Sequence, residues 1–273
     1  QPQSQDPQTL SCTVQISGSA VRSTLQFASG GGREPVFFYR PPHTEFRALP
    51  VLLAVYPGPV DTWECVSIGL SQAGYAVLAV GPEYSLDLEA DVEWLAKLMA
   101  VAKRGDLPGT DPSRIAALGG SYSALLLELL MLKEPGLSAV VLLGPPTDMF
   151  DFRRGFEREG FVPPFGLDKA LVALGLPNRE PLRYLKNSMV YHVRPDLPAT
   201  VIFHSYQDDI VPYQQSQLLA DSLHARGVEV ELHLFDGASH YLLEDGEAAQ
   251  AIYRQTLDFL SRHGMAPFPG KGK

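Results

Sequence analysis

The chain has 273 residues, of which 45% are hydrophobic, and its 22 basic and 31 acidic side chains give a formal net charge of −9. This length and composition fit one large α/β domain, or two small ones, with a substantial core. The acidic balance and the lack of a basic run disfavour nucleic acid and anionic membranes as partners, and no apolar run is long enough to span a bilayer.

The two ends of the chain have the composition of flexible segments. Residues 1–8 are polar with two prolines and residues 266–273 are rich in Gly, Pro and Lys. We therefore expect a flexible leader at 1–10 and a mobile tail at 266–273 around a single domain at 11–265. The first residue is Gln, which a removed export signal or a trimmed chain would explain, and the sequence leans towards a secreted or periplasmic protein. Cys12 and Cys65 could form one disulfide or remain two buried thiols.

The first part of the domain has the pattern of antiparallel strands. Apolar residues alternate with polar ones at 13–16, 21–27 and 35–39, and glycine turns separate these stretches. Alternation of this kind is typical of strands with one face on the core and one in water.

From residue 51 onward, continuously apolar strands alternate with helical patterns. The strands are predicted at 51–56, 75–80, 113–118, 139–143, 199–204 and 228–235, and the helices at 62–73, 87–103, 124–132, 213–226 and 248–263. Apolar strands of this kind are buried on both faces. The sequence therefore predicts an α/β fold with a mostly parallel central sheet, helices on both of its faces and antiparallel strands at the N-terminal side.

One long stretch, about residues 145–197, interrupts this alternation and is predicted to form a small cap. An insertion that leaves the carboxyl end of a strand overhangs the site of an open α/β sheet. Its aromatic residues Phe150, Phe152 and Phe156 are candidates for lining a substrate pocket. The alternative is that these side chains only attach the insertion to the body of the domain.

The string Gly119-Gly120-Ser121-Tyr122-Ser123 stands between a predicted strand and an apolar helix. This arrangement is typical of a nucleophile elbow, which usually reads Gly-x-Ser-x-Gly. The residues two before and two after the serine must be small, because the cramped turn pushes the serine oxygen out above the sheet. Gly119 meets this need, and Ser123 replaces the second glycine.

A serine hydroxyl needs a base and a group that orients the base, and in α/β-hydrolases the chain order is serine, acid, histidine. Asp208 and Asp209 follow the strand that ends near residue 204, and His240 stands in a turn after the last strand. We therefore predict Ser121 as the nucleophile, His240 as the base and Asp208 as the acid. Asp209 is the competing acid.

An oxyanion hole needs two hydrogen-bond donors. One is expected to be the backbone N–H of Tyr122, the residue after the nucleophile. The other should come from the turn at 56–59, where two prolines lack an N–H and leave few backbone donors. The phenol of Tyr56 could substitute, although a tyrosine at a strand end is also common without such a role.

Together these motifs resemble the catalytic domain of the prolyl oligopeptidase family. The resemblance covers about Val51 to Leu260, with Asp91 and Asn187-Ser188 among the shared positions. Its most specific parts are the elbow, the turn Tyr56-Pro57-Gly58-Pro59, the stretch His204 to Pro212 and the end Gly237-Ala238-Ser239-His240.

The resemblance implies an α/β-hydrolase fold and, in dipeptidyl-peptidase-like members, a second oxyanion donor from the tyrosine that matches Tyr56. Ser123 and Ser205 depart from the family pattern, which has glycine at both positions. Family peptidases carry a large β-propeller, and only about 50 residues precede the first core strand here, too few for one.

We therefore expect a serine hydrolase that cleaves small-molecule carboxylic esters and needs no cofactor and no metal. A serine peptidase of the prolyl oligopeptidase type is the first alternative. A catalytically silent binding module with the same fold is the second. The sequence does not indicate the oligomeric state.

Overall fold

The computed structural model describes residues 8–9, 20–25, 35–44, 46–159 and 166–267. The predicted strand at 13–16, Cys12 and most of the leader and tail lie outside these ranges. Gln8 and Thr9, which fall within the predicted flexible leader, form a short edge strand.

The described part of the chain forms a sheet of nine strands with helices between them. The strands are β1 (Gln8–Thr9), β2 (Val21–Leu25), β3 (Val36–Arg40), β4 (Leu49–Val55), β5 (Ala76–Val80), β6 (Thr110–Gly120), β7 (Ala139–Leu143), β8 (Ala199–Ser205) and β9 (Val230–Phe235). The helices are α1 (Glu64–Gln72), α2 (Leu88–Lys103), α3 (Tyr122–Lys133), α4 (Met149–Glu159), α5 (Leu167–Leu174), α6 (Pro181–Lys186), α7 (Gln214–Ala225) and α8 (Gly246–Leu260).

The strand order in the sheet is β1-β2-β3-β5-β4-β6-β7-β8-β9. The pairs from β5 to β9 are all parallel, whereas β1, β2 and β3 join the sheet by antiparallel pairing. The predicted mixed sheet is therefore confirmed. Because β4 to β9 run in the same direction, their carboxyl ends meet at one edge of the sheet.

Successive side chains along the central strands belong to two separate apolar clusters. On β4, Leu53 and Val55 join a cluster with α2, α3 and α7, whereas Leu52 and Ala54 join one with α1 and α8. Successive side chains of a strand point to opposite faces, so each face needs its own cover of helices. Burial on both faces explains why these strands are continuously apolar in the sequence.

The interruption between β7 and β8 contains α4, α5 and α6. Their apolar side chains do not form a core of their own: Phe152, Leu171 and Tyr184 belong to the same cluster as α2 and α3. The insertion is thus packed onto the helices that flank the elbow.

Cys65, on α1, is disulfide-bonded in the structure. In the part of the chain that the structure describes, no helix is both long and apolar enough to cross a membrane. Among the same residues, no group of three His, Cys, Asp or Glu side chains is arranged to hold a metal ion.

Candidate active site

Ser121 occupies the sharp turn between β6 and α3. Its backbone has φ 55° and ψ −123°, a region that residues other than glycine rarely adopt because of steric strain. The turn is held by the N–H of Ser121, which donates to the carbonyl of Leu143 on the neighbouring strand at 2.8 Å. This is the strained strand-to-helix conformation that a nucleophile elbow requires.

The positions on either side of Ser121 show why the elbow needs small residues. A Cβ at Gly119 would lie only 2.9 Å from the carbonyl oxygen of Val55 on β4, so any side chain there would collide with the backbone. At the other position, Ser123 is fully buried and donates to the carbonyl of Tyr56 at 2.9 Å. The departure from glycine therefore adds a hydrogen bond between the elbow and the end of β4.

The structure brings Ser121, His240 and Asp208 together in one hydrogen-bonded chain. His240 Nε2 lies 2.9 Å from Ser121 Oγ, and His240 Nδ1 lies 2.7 Å from Asp208 Oδ2. The His240 and Asp208 side chains are 5% and 1% exposed. This is the nucleophile–base–acid geometry of a serine triad.

Of the two neighbouring aspartates, only Asp208 reaches His240. Its second oxygen, Oδ1, accepts the backbone N–H groups of Ile210 at 2.9 Å and Val211 at 2.8 Å, whereas Asp209 is exposed. Burial alone would raise the pKa of Asp208, but hydrogen bonds from His204 and His240 outweigh burial and hold the pKa of this carboxyl well below its usual range. The Asp208 carboxyl is therefore ionised at neutral pH and can orient His240 as an anion.

Two polar side chains join the loops that present the acid and the histidine. Ser205 donates its hydroxyl to the carbonyl of Ala238, and Gln207 accepts the N–H of Gly237 at 2.7 Å through its Oε1 atom. The sequence marked Ser205 only as a departure from the family pattern and gave no reason to select Gln207. Both residues fix the spacing between the loop after β8 and the turn that carries His240.

The loop after β7 closes this side of the site. Gly144 has φ 55°, and a Cβ there would lie 3.4 Å from His240 Cε1 and 3.5 Å from Asp208 Oδ2. Glycine is therefore suited to the position both by its left-handed backbone and by the close approach of the two side chains.

The amino terminus of α3 supplies an N–H donor beside the nucleophile. No side chain caps this helix, and the first amides of a helix have no acceptor within it, so the N–H of Tyr122 has no acceptor within α3. The phenol of Tyr122 points elsewhere and donates to Asp91 Oδ2 at 2.8 Å. Burial, with a further contribution from the charge of Asp91, raises the pKa of the Tyr122 phenol.

The prediction that the Tyr56 phenol serves as the second oxyanion donor is wrong for this structure. The Tyr56 ring is 3% exposed, stacks on Trp63 with centroids 5.4 Å apart, and places its hydroxyl 2.8 Å from Ser67 Oγ on α1. Burial raises the pKa of Tyr56. The hydroxyl is thus engaged in the core on the α1 side of the sheet and is not presented to a substrate at Ser121.

The turn after Tyr56 lies beside the elbow and keeps one backbone donor. Pro57 and Pro59 have no N–H, which leaves the N–H of Gly58. The hydroxyl of Tyr84 donates to the carbonyl of Pro57 at 3.3 Å, and the ring of Tyr84 packs on that of Tyr122 with centroids 5.0 Å apart. These contacts hold the turn next to the start of α3.

The three aromatic residues predicted as pocket residues pack the insertion against the body of the domain. Phe152 is 1% exposed within the main apolar cluster, so its assignment to a substrate pocket is wrong. Phe150 is half-buried against the same cluster, and within the insertion it packs on Tyr184 with ring centroids 5.1 Å apart. Phe156 is also half-buried against the same cluster. The contacts of all three agree with the alternative interpretation, in which these side chains attach the insertion to the body of the domain.

Comparison with known proteins gives a family match over most of the chain. The sequence profile of the prolyl oligopeptidase family matches residues 95–265. An uncharacterized peptidase of Bacillus subtilis (strain 168), YuxL, is 28% identical over 156 residues, which is 56% of this chain and 22% of that protein. The chain thus spans about a fifth of the length of this relative.

Among solved structures, esterase 2 of Thermogutta terrifontis shares the fold. The form phosphoramylated by tabun superimposes with a TM-score of 0.69 at 18% identity, covering 91% of this chain and 97% of that chain. The butyrate-bound form gives a TM-score of 0.66 at 21% identity, covering 86% and 91%. The architecture is therefore the α/β-hydrolase fold that the sequence predicted.

Proposed function

Because the chain belongs to the prolyl oligopeptidase family and is a serine hydrolase of that family, we propose that it cleaves carboxylic esters through an acyl-enzyme intermediate. The observation that carries the proposal is the unbroken hydrogen-bond chain from Ser121 Oγ through His240 to Asp208. A hydroxyl on a strained elbow, in contact with an oriented imidazole, is an activated nucleophile.

In the proposed reaction Ser121 Oγ attacks the ester carbonyl while His240 Nε2 takes its proton. The same nitrogen returns the proton to the departing alcohol oxygen, which leaves the acyl group on Ser121. Water then repeats the sequence and releases the carboxylic acid. Asp208 accepts the Nδ1–H of His240, keeps Nε2 unprotonated and directed at Ser121, and stabilises the imidazolium.

The negative charge that develops on the carbonyl oxygen needs two donors. We assign the backbone N–H of Tyr122, at the positive end of α3, as the first. We assign the N–H of Gly58 as the second, because the turn at 57–59 lies beside the elbow and Tyr56 is engaged with Ser67. Both donors belong to the backbone and cost no side-chain reorganisation during the reaction.

Esters are proposed as the first substrate class because the fold is shared with an esterase. The chain superimposes on 97% of the Thermogutta terrifontis esterase 2 chain, with a TM-score of 0.69. One form of that esterase has butyrate bound, which makes short acyl esters the first substrates to test. The family and the peptidase relative support the second candidate, a small-peptide or aminoacyl hydrolase.

The two candidates are separated by measuring kcat/KM for p-nitrophenyl butyrate, alanyl p-nitroanilide and alanyl-prolyl p-nitroanilide with one enzyme preparation. We expect the ester to have the highest kcat/KM and its turnover to disappear in Ser121→Ala. A p-nitroanilide with a higher kcat/KM than the ester would reverse the assignment in favour of a peptidase. Failure of Ser121 to react with a fluorophosphonate would instead show a silent site.

A further inference from the structure

A second histidine, His204, lies directly behind the acid of the triad. It is the penultimate residue of β8 and is completely buried. Its Nε2 atom lies 3.0 Å from Asp208 Oδ2 and 2.8 Å from the carbonyl oxygen of Val211. Its Nδ1 atom lies 2.6 Å from the hydroxyl oxygen of Ser216 on α7.

These partners determine where the proton of His204 resides. A carbonyl oxygen and a carboxylate only accept hydrogen bonds, so Nε2 must carry the hydrogen. In the neutral ring Nδ1 is then an acceptor, and the Ser216 hydroxyl can donate to it. Both nitrogens of the ring therefore have a hydrogen-bond partner, and Nε2–H donates to Val211 and Asp208 at once.

As a result, two imidazoles share one carboxylate oxygen. Asp208 Oδ2 receives Nδ1–H of His240 at 2.7 Å and Nε2–H of His204 at 3.0 Å, while Oδ1 is taken by two backbone amides. Within the described residues, His204 and His240 are the only titratable side chains that contact Asp208 in these hydrogen bonds and ion pairs. Ser216 on α7 and Gly144 after β7 pack against this group and do not titrate.

We propose that His204 is a positioning residue of the hydrolytic site, which acts on His240 through the carboxylate of Asp208. The Nε2–H of His204 fixes the orientation of the carboxylate and draws part of its negative charge away from His240. A carboxylate with less available charge stabilises the imidazolium of His240 less. The shared oxygen thereby lowers the pH above which His240 can accept the Ser121 proton.

The low pKa of Asp208 agrees with this role. Burial favours the protonated carboxyl, and it is the hydrogen bonds from His204 and His240 that reverse this preference. A histidine that merely filled space between β8 and α7 would not need the contact between its Nε2 atom and Asp208 Oδ2.

The inference rests on the proposed function, so its test uses a probe that reports Ser121 directly. The rate at which a fluorophosphonate labels Ser121 is measured between pH 5 and 9. In this reaction Ser121 Oγ displaces fluoride from phosphorus and its proton goes to His240, so the rate falls at acid pH as His240 becomes protonated. The measure does not depend on which substrate the protein prefers.

The variants change one donor at a time. His204→Met removes the donor at similar volume, and His204→Gln keeps a terminal amide that can donate to both acceptors. Ser216→Ala removes the hydroxyl that forms the hydrogen bond with Nδ1 of His204. Ser222→Ala is the control, because its hydroxyl only donates to the Leu218 carbonyl on the exposed side of the same helix.

In His204→Met we expect the midpoint of the acid limb to move up by about 0.5–1 pH unit, so that labelling at pH 6 slows about 3- to 10-fold. His204→Gln should restore the wild-type midpoint, Ser216→Ala should move it upward by less, and Ser222→Ala should not move it. The kcat/KM of p-nitrophenyl butyrate hydrolysis should show the same displacements.

An unmoved midpoint in His204→Met, or an equal displacement in His204→Gln, would overturn the inference and leave the proposed function intact. If His204→Met does not fold, as judged by circular dichroism, Ser216→Ala decides, and an unmoved midpoint there counts equally against the inference. A wild-type protein that takes no label at Ser121 at any pH would overturn the proposed function and the role of His204 together.

Discussion

The loops that follow β6, β8 and β9 reach the same edge of the sheet as the turn that follows β4, but the two regions orient their side chains differently. In the first region, Ser121, Asp208 and His240 point towards one another and are linked at 2.9 and 2.7 Å. In the second, Tyr56 turns away and places its hydroxyl 2.8 Å from Ser67.

The difference follows from where each residue stands relative to its strand. Tyr56 directly follows β4 and continues its alternation, so its side chain lies on the same face as Leu52 and Ala54. Asp208 and His240 stand farther into their loops, where backbone amides and neighbouring polar groups decide the direction of the side chain. Tyr56 therefore keeps the face of its strand. Ser121 also directly follows its strand, but the strained turn with φ 55° and ψ −123° redirects its side chain.

The largest expected effect comes from removing the nucleophile. Ser121→Ala should lower kcat for p-nitrophenyl butyrate by about 10⁵–10⁶-fold, because the base, the acid and the oxyanion donors only assist the attack by Ser121 Oγ. The thermal midpoint should stay close to that of the wild type, since the hydroxyl caps no helix. Residual turnover above a few per cent of wild type would show that the first region is not the reacting centre.

The second prediction separates the two aspartates of the same loop. Asp208→Asn should lower kcat by about 10⁴-fold, because an amide in place of the carboxylate favours the wrong tautomer of His240. Asp209→Asn is the matched control and should be close to wild type, since Asp209 is exposed. Comparable losses in the two variants would contradict the assignment of the acid.

The third prediction tests the turn after β4 through its backbone. Gly58→Pro removes the N–H assigned as the second oxyanion donor and should lower kcat by about 10²–10³-fold. Gly58→Ala keeps the N–H, and its Cβ would come no closer than 3.8 Å to a neighbour, Trp63 Nε1. The alanine variant should therefore retain the wild-type rate. Equal rates in both variants would exclude the Gly58 N–H as a donor.

The smallest effect on rate is expected at Tyr56. Tyr56→Phe should change kcat by less than about threefold, because its hydroxyl is engaged with Ser67 and supplies no oxyanion bond. The free energy of unfolding should fall by about 1 kcal/mol from the lost hydrogen bond, and Ser67→Ala should give a similar fall. A loss of about 100-fold in kcat with unchanged stability would restore the phenol as an oxyanion donor.

The sequence predicted the backbone framework of the site well, for a physical reason. Strand β7 was predicted at 139–143 and has those bounds. A short apolar run between turn residues is stable as a strand that is buried on both faces of a parallel sheet. The elbow, the acid loop and the turn of His240 each follow such a strand. Parallel topology then brings the three strand ends to one edge of the sheet.

Side-chain assignments that depended on distant partners were less successful. The Tyr56 phenol is hydrogen-bonded to Ser67, and Phe152 packs in the apolar cluster that contains α2, α3 and the insertion. Neither partner could be identified from the motif itself. His204 was noted as the end of a strand and as the first residue of a stretch that resembles the family. Neither observation shows that its ring meets Asp208.

The order and spacing of apolar runs and turn residues therefore predicted the fold, the elbow and the three side chains that the structure links by hydrogen bonds. Only the tertiary structure decided which face receives Tyr56, how the insertion is attached and which two histidines share the Asp208 carboxylate. The reason is that the periodicity of strands and helices depends on residues that are close together in the sequence. The direction of a polar side chain depends instead on whichever donors and acceptors the folded chain brings within about 3 Å of it.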